Sequence, residues 1–203
     1  IDKLTEKNVP VFALVSQLSA TGAVSYVGLD NWQAGRQSAW AFHMMSRQPG
    51  KIGILVGNHR YRCQEMNESG FRSYFREHAP EFQLLEPLST FETAAVAEEM
   101  VEKLFLQHPD LIGLYIAGGG ISGAMAALRS TGMAGRIIAV GYELMDNTRA
   151  ALLDGTLTLL IGHPLPRLAE QAVAGMARAC KEGGANIKQT VVLPVHIYTR
   201  ENV

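Results

Sequence analysis

Short runs of β-branched and aliphatic residues alternate with longer amphipathic stretches along all 203 residues of this chain. That order leaves few folds open. Strand, helix and strand in series close most readily as parallel βαβ units, and several such units give a parallel sheet with helices on both faces. Parallel strands buried on both sides read as continuous apolar runs, as 51–56 and 111–116 do. Periodicity and turn residues predict strands over 9–15, 25–29, 51–56, 82–86, 111–116, 136–140 and 157–161, with one or two more over 190–198. Helices are predicted over 2–7, from Asp30 or Asn31 to about Arg47, and over 64–77, 92–107, 121–131 and 145–153. A last long helix starts at Pro164, where proline suits the first turn, and ends at Gly183-Gly184. Pro194 hints at an edge or a break in the final strand region.

In open parallel sheets, ligands bind beyond the C-terminal ends of the strands. The chemistry is therefore expected in loops 16–23, 30–32, 57–63, 117–121, 142–146 and 162–164. The formal net charge of −1 argues against a surface that holds nucleic acid by bulk electrostatics. No apolar run reaches the roughly 18 residues that a membrane span needs. Cys63 and Cys180 have no metal or redox spacing and fit a reducing compartment as small apolar side chains. None of the six histidines has a second ligand at metal spacing, so neither a metal nor a cofactor is assigned. The chain starts at Ile1 with no leader-like segment, which points to processing or to a piece of a longer protein.

One loop stands out. Gly118-Gly119-Gly120-Ile121-Ser122-Gly123 follows a strand and opens a helix. Such a turn aims bare backbone N–H groups and the positive end of a helix dipole at one point. It matches G-x-G-x-x-G, and Glu143 ends the next strand where a dinucleotide fold places its ribose-binding acid. An NAD-dependent oxidoreductase is therefore one reading, a two-lobed small-molecule sensor another, and glycines that only permit a tight turn a third. No nucleophile–base pair or metal cluster accompanies the loop, which weighs against an enzyme. Asn58-His59-Arg60-Tyr61-Arg62 could hold an anion or be a solvated loop. Trp32, Phe91 and Tyr142 sit near strand ends, where aromatic walls suit the C–H faces of a sugar; Asn67, Glu143 and His163 would serve its hydroxyls. Each of these, taken alone, could instead be a packing or surface residue.

The order of these signals resembles the effector-binding domain of the lactose-repressor family of bacterial transcription regulators, which shares its fold with periplasmic sugar-binding proteins. The likeness lies in Val27-Gly28-Leu29-Asp30-Asn31-Trp32-Gln33-Ala34-Gly35-Arg36, in Lys51 to Gly57 with Gly70-Phe71-Arg72, in Ile137 to Glu143, and in Tyr198-Thr199-Arg200-Glu201-Asn202. It implies an α/β fold of two lobes with parallel sheets, the first lobe incomplete: residues 1–48 with about 164–184, then 50–162 with 190–203. It also implies an effector cleft drawing on Ser16 or Gln17, Asp30, Asn67, Phe91, Gly118 or Gly119, Glu143 and His163; Trp32 and Arg62 join these as candidates from their places near strand ends. Asn67 stands where the family has an arginine, Gly118 or Gly119 where it has Asn-Asp, and Glu143 where it has an aspartate. With Arg60 and Arg62 nearby, a sugar acid joins neutral sugars as a candidate. The resemblance further implies a cytoplasmic homodimer that meets operator DNA only through a missing N-terminal domain, without membrane contact or catalysis. A periplasmic sugar-binding protein of a transporter is the alternative.

Overall fold

The computed structural model describes residues 1–182 and 188–203. The expected helix end at Gly183-Gly184 lies outside the described residues. In chain order the elements begin with α1 (Asp2–Glu6), β1 (Val11–Leu14), β2 (Val24–Leu29), α2 (Asn31–Met45), β3 (Lys51–Val56), α3 (Arg62–His78), β4 (Gln83–Leu84) and β5 (Leu88–Ser89). They continue with α4 (Ala94–Gln107), β6 (Leu111–Ile116), α5 (Ile121–Ser130), β7 (Ile138–Tyr142), α6 (Asp146–Leu153), β8 (Leu159–Gly162), α7 (Leu165–Glu182), β9 (Thr190–Leu193) and β10 (His196–Tyr198). The chain packs as two units: residues 1–30, 61–63 and 163–196, and residues 31–60, 64–162 and 197–203.

The first unit carries a three-stranded parallel sheet in the order β1-β2-β9. Helix α7 covers it with a stripe of Leu168, Ala172, Gly175 and Ala179, spaced for one face of a helix. Strand β2 is buried from Ser25 to Leu29, as a central parallel strand should be.

The second unit carries a seven-stranded sheet in the order β10-β8-β7-β6-β3-β4, with β5 also paired to β3. Strands β3 to β8 pair in parallel. Side chains alternate across the sheet, so the residues of β6 serve two cores. On one face, the Tyr115 ring stacks on Phe71 of α3 at 4.1 Å, and Phe71 meets Phe42 of α2 edge-on at 5.5 Å. All three are fully buried, and each contributes about 1.5–3 kcal/mol by leaving water. On the other face, Leu114 and Ile116 join Val101 and Leu104 of α4 and Ala124, Met125 and Leu128 of α5. Helices α2 and α3 approach closely because Gly35 lies under the Asn67 carbonyl and Gly70 under that of Trp32; a side chain at either would strike backbone. This accounts for the Ala34-Gly35 and Gly70-Phe71 pairs as packing devices.

Several expected boundaries shift, with β7 starting at Ile138 and β8 at Leu159 rather than at 136 and 157, and three further departures stand out. Residues 82–86 form no continuous strand: β4 and β5 pair with opposite ends of β3, and Pro87 between them has no N–H for a ladder. Helix α4 starts at Ala94 rather than Glu92, because Phe91 (φ 53°) and Glu92 (φ 61°) are left-handed. Helix α2 packs within the second unit and β9 pairs with β2 in the first, so residues 31–48 and 190–193 fall opposite to the expected lobes.

Candidate functional site

Strain marks the strand ends. Val15, Phe91, Glu92 and Glu143 all have positive φ, at 68°, 53°, 61° and 66°. Val15 follows β1, Phe91 and Glu92 come just after β5, and Glu143 follows β7. Non-glycine residues held this way cost about 1–3 kcal/mol each and persist only where their surroundings fix them, commonly at ligand sites. In the first unit the turn at Val15 is closed by Ser16 N–H to the Leu14 carbonyl at 2.7 Å. Gln17 beyond it is exposed, and Ser16 Oγ accepts from Cys63 N–H at 3.3 Å. Asp30 is half-buried at the end of β2, Arg62 is exposed at the start of α3, and His163 is buried after β8.

In the second unit the glycine loop is already filled. The Glu92 carboxylate lies against Gly57 and Gly119, where a Cβ on either glycine would run into its oxygens. Gln64 Nε2 donates to Glu92 Oε1 at 2.8 Å, while Gln64 Oε1 accepts from Asn58 N–H at 2.8 Å. Thr90 Oγ1 donates to the Gly119 carbonyl at 2.7 Å, and Thr90 N–H to Val56 at 2.8 Å. The 90–93 turn is thereby tied to β3 and to the loop after β6. It leaves the Phe91 ring 65% exposed, an unusual position for a large apolar side chain at a rigid turn.

These contacts overturn the NAD reading of Gly118 and Gly119. The space where a pyrophosphate would approach the loop is held by an internal carboxylate, whose charge would repel it. The last motif glycine, Gly123, packs against the Ala94 backbone where α4 meets α5.

Glu143 sits on the same C-terminal edge. Its N–H donates to Ile161 at 2.8 Å and its carbonyl accepts from Thr148 Oγ1 at 2.8 Å, which fixes the left-handed turn. Its carboxylate is near Gly162. Tyr142 beside it shares a 2.8 Å hydroxyl pair with Tyr115, whose phenol burial pushes well above the usual tyrosine range. The other two expected residues of this unit lie on α2 and α3. Trp32 lies under the Arg36 guanidinium at 4.8 Å. Asn67 is 3% exposed, with its backbone against Gly35 and its Oδ1 buried without a hydrogen-bond partner. Thus Phe91, Gly118, Gly119 and Glu143 share the strand-end edge of the second unit, whereas Gln17, Asp30, Arg62 and His163 belong to the first unit. Glu92 and Gln64 escaped the sequence reading. The available signal was the glycine run itself, since a loop stripped of side chains leaves volume for another group.

A separate concavity of the second unit, lined by Met45, Arg47, Leu111, Arg136 and Ile138, lies at the N-terminal ends of β6 and β7, away from these groups.

The family model described as "Periplasmic binding protein domain" matches residues 1–185. The D-apiose import binding protein of Paraburkholderia graminis is 23% identical over 205 residues, covering all of this chain; the chain spans 65% of that protein's length. Among solved structures, a solute binding protein of an ABC transporter from Agrobacterium vitis with bound D-fucose aligns with a TM-score of 0.88 at 20% identity, over 98% of this chain and 69% of that one. A glucose-galactose binding protein from Geobacillus stearothermophilus aligns with a TM-score of 0.90 at 19% identity, over 100% and 72%. At these identities the solved structures establish a shared α/β fold.

Proposed function

Because this chain belongs to the periplasmic binding protein domain family, we propose that it is the ligand-capturing part of a sugar-binding protein that hands a monosaccharide to a transporter. The observation that carries this reading is the exposed Phe91 ring, held by a strained and tethered turn on the edge that also presents Glu92 and Glu143. A sugar offers an apolar C–H face to such a ring and hydroxyls to such carboxylates. The names of the relatives support it: one imports D-apiose, and others were solved with D-fucose and D-allose. Capture needs no bond made or broken. On this reading the protein works outside the cytoplasmic membrane, where a transporter collects its cargo.

The regulator reading, with operator DNA, a homodimer and a cytoplasmic location, drew on the C-terminal Arg200-Glu201-Asn202. That segment has a local role. Asn202 Oδ1 accepts from Thr199 N–H at 2.7 Å and its Nδ2 donates to Ile197 at 2.9 Å, closing the turn after β10. The transport reading accounts for the relatives without it.

Calorimetric titration of the full-length protein with D-apiose, D-fucose, D-allose, D-glucose and D-galactose tests the proposal. At least one sugar is expected to bind with a micromolar or tighter Kd, and Phe91→Ala to weaken it about tenfold, the loss of one aromatic wall worth ~1.4 kcal/mol. The variant's melting temperature should hold, since the ring is exposed. Absence of binding by every sugar sinks the reading.

A further inference from the structure

We infer that Glu92 is a specificity-determining residue of this site, selecting neutral sugars against sugar acids; this rests on the sugar-binding reading above. Three observations converge on it. The loop at 118–120 has no side chain of its own to offer a ligand, and the Glu92 carboxylate occupies the space that a residue at Gly119 would fill. The carboxylate is fixed there, by Gln64 at 2.8 Å and by a turn that holds both Phe91 and Glu92 left-handed. Glu92 is nevertheless exposed and adjacent in sequence to the exposed Phe91 ring.

An ionised carboxylate only accepts hydrogen bonds and has about four lone-pair directions. Gln64 is its one described side-chain donor, so directions remain for ligand hydroxyls. A hydroxyl donating to a carboxylate makes a short, charge-assisted bond. A ligand carboxylate in the same place would meet like charge and supply no proton. The basic loop residues Arg60 and Arg62, which suggested an anionic ligand, are exposed, and no contact among the described residues fixes either guanidinium at the strand-end edge. Glu92, by contrast, is built into the strand-end edge.

Titration of the full-length protein with matched neutral, 2-amino and uronic acid forms of the sugar it binds tests the assignment. The parent should bind the uronic acid at least tenfold more weakly than the neutral sugar. Glu92→Gln, which keeps the shape and removes the charge, should bring the two within about threefold. Gly119→Ala, whose methyl displaces the carboxylate without altering any charge, should weaken the neutral sugar and narrow the same gap; melting curves confirm that both variants fold. Unchanged discrimination in a folded Glu92→Gln protein, or a parent that prefers the acid, overturns the assignment while leaving sugar binding intact. A parent that binds none of the three forms overturns both proposals.

Discussion

Two glycine-bearing strand ends, one in each unit, put the same vacancy to opposite uses. In the first unit, Gly28 makes room for the ring of Tyr26 on its own strand, and the Tyr26 hydroxyl reaches the Leu29 carbonyl at 2.8 Å and the Val15 carbonyl at 3.1 Å. The gap is filled by a buried neighbour that turns inward and pins the backbone. In the second unit, Gly57 and Gly119 make room for a carboxylate from a turn distant in sequence, and that carboxylate stays exposed. One vacancy yields packing, the other a charged group at a sheet edge. A glycine at a strand end therefore predicts only that something else will occupy the space; its chemistry depends on what arrives.

The first unit offers the strongest way to break this contrast. Gly28→Val should clash with the Tyr26 ring in a fully packed strand and destabilise the protein by about 2–3 kcal/mol. Hydrogen exchange should locate the loss at the amides of β2. If those amides stay protected, the gap is not the packing device described. Tyr26→Phe comes next. It keeps the ring and removes the hydroxyl that serves two carbonyls, for about 1–2 kcal/mol in a urea denaturation midpoint.

The smallest effect is one of acid on a surface carboxylate of the second unit. The Arg36 guanidinium, with help from Ser73, lowers the Glu77 carboxyl from 4.5 to about 2. A lowered folded-state pKa stabilises above the unfolded value, and that contribution is lost as pH falls from 4.5 towards 2. Arg36 also covers Trp32 at 4.8 Å, so Trp32 emission should change over that window in a Trp40→Phe background. Glu77→Gln should abolish the change. Emission that titrates regardless would detach Trp32 from this ion pair.

Much of the sheet was legible because burial leaves plain marks. Strands β3 and β6 match the expected runs to the residue, since both are largely apolar stretches that follow a glycine or polar residue and run into a glycine-bearing loop. The β4–β5 break was less visible: Pro87 announces it, but the apolar residues on either side suggest one continuous strand. The candidate site was legible in part for a similar reason. Phe91 and Glu143 drew notice as aromatic and acidic residues near strand ends, and the structure holds both in left-handed turns there. Trp32 and Asn67 have the same kind of sequence signal; the structure sets the partly exposed Trp32 ring against Arg36, and buries Asn67 Oδ1 without a partner while its backbone meets Gly35. The close α2–α3 approach that creates these surroundings does not show in residue type.

The sequence alone settled that this chain is α/β with parallel strands and that its glycine loop follows a strand and opens a helix, because those properties follow from local periodicity and backbone sterics. Only tertiary structure decided that Glu92 fills that loop and that α2 packs with the second unit. Both depend on volumes brought together by residues far apart in the chain, and short-range pattern carries no record of such distances.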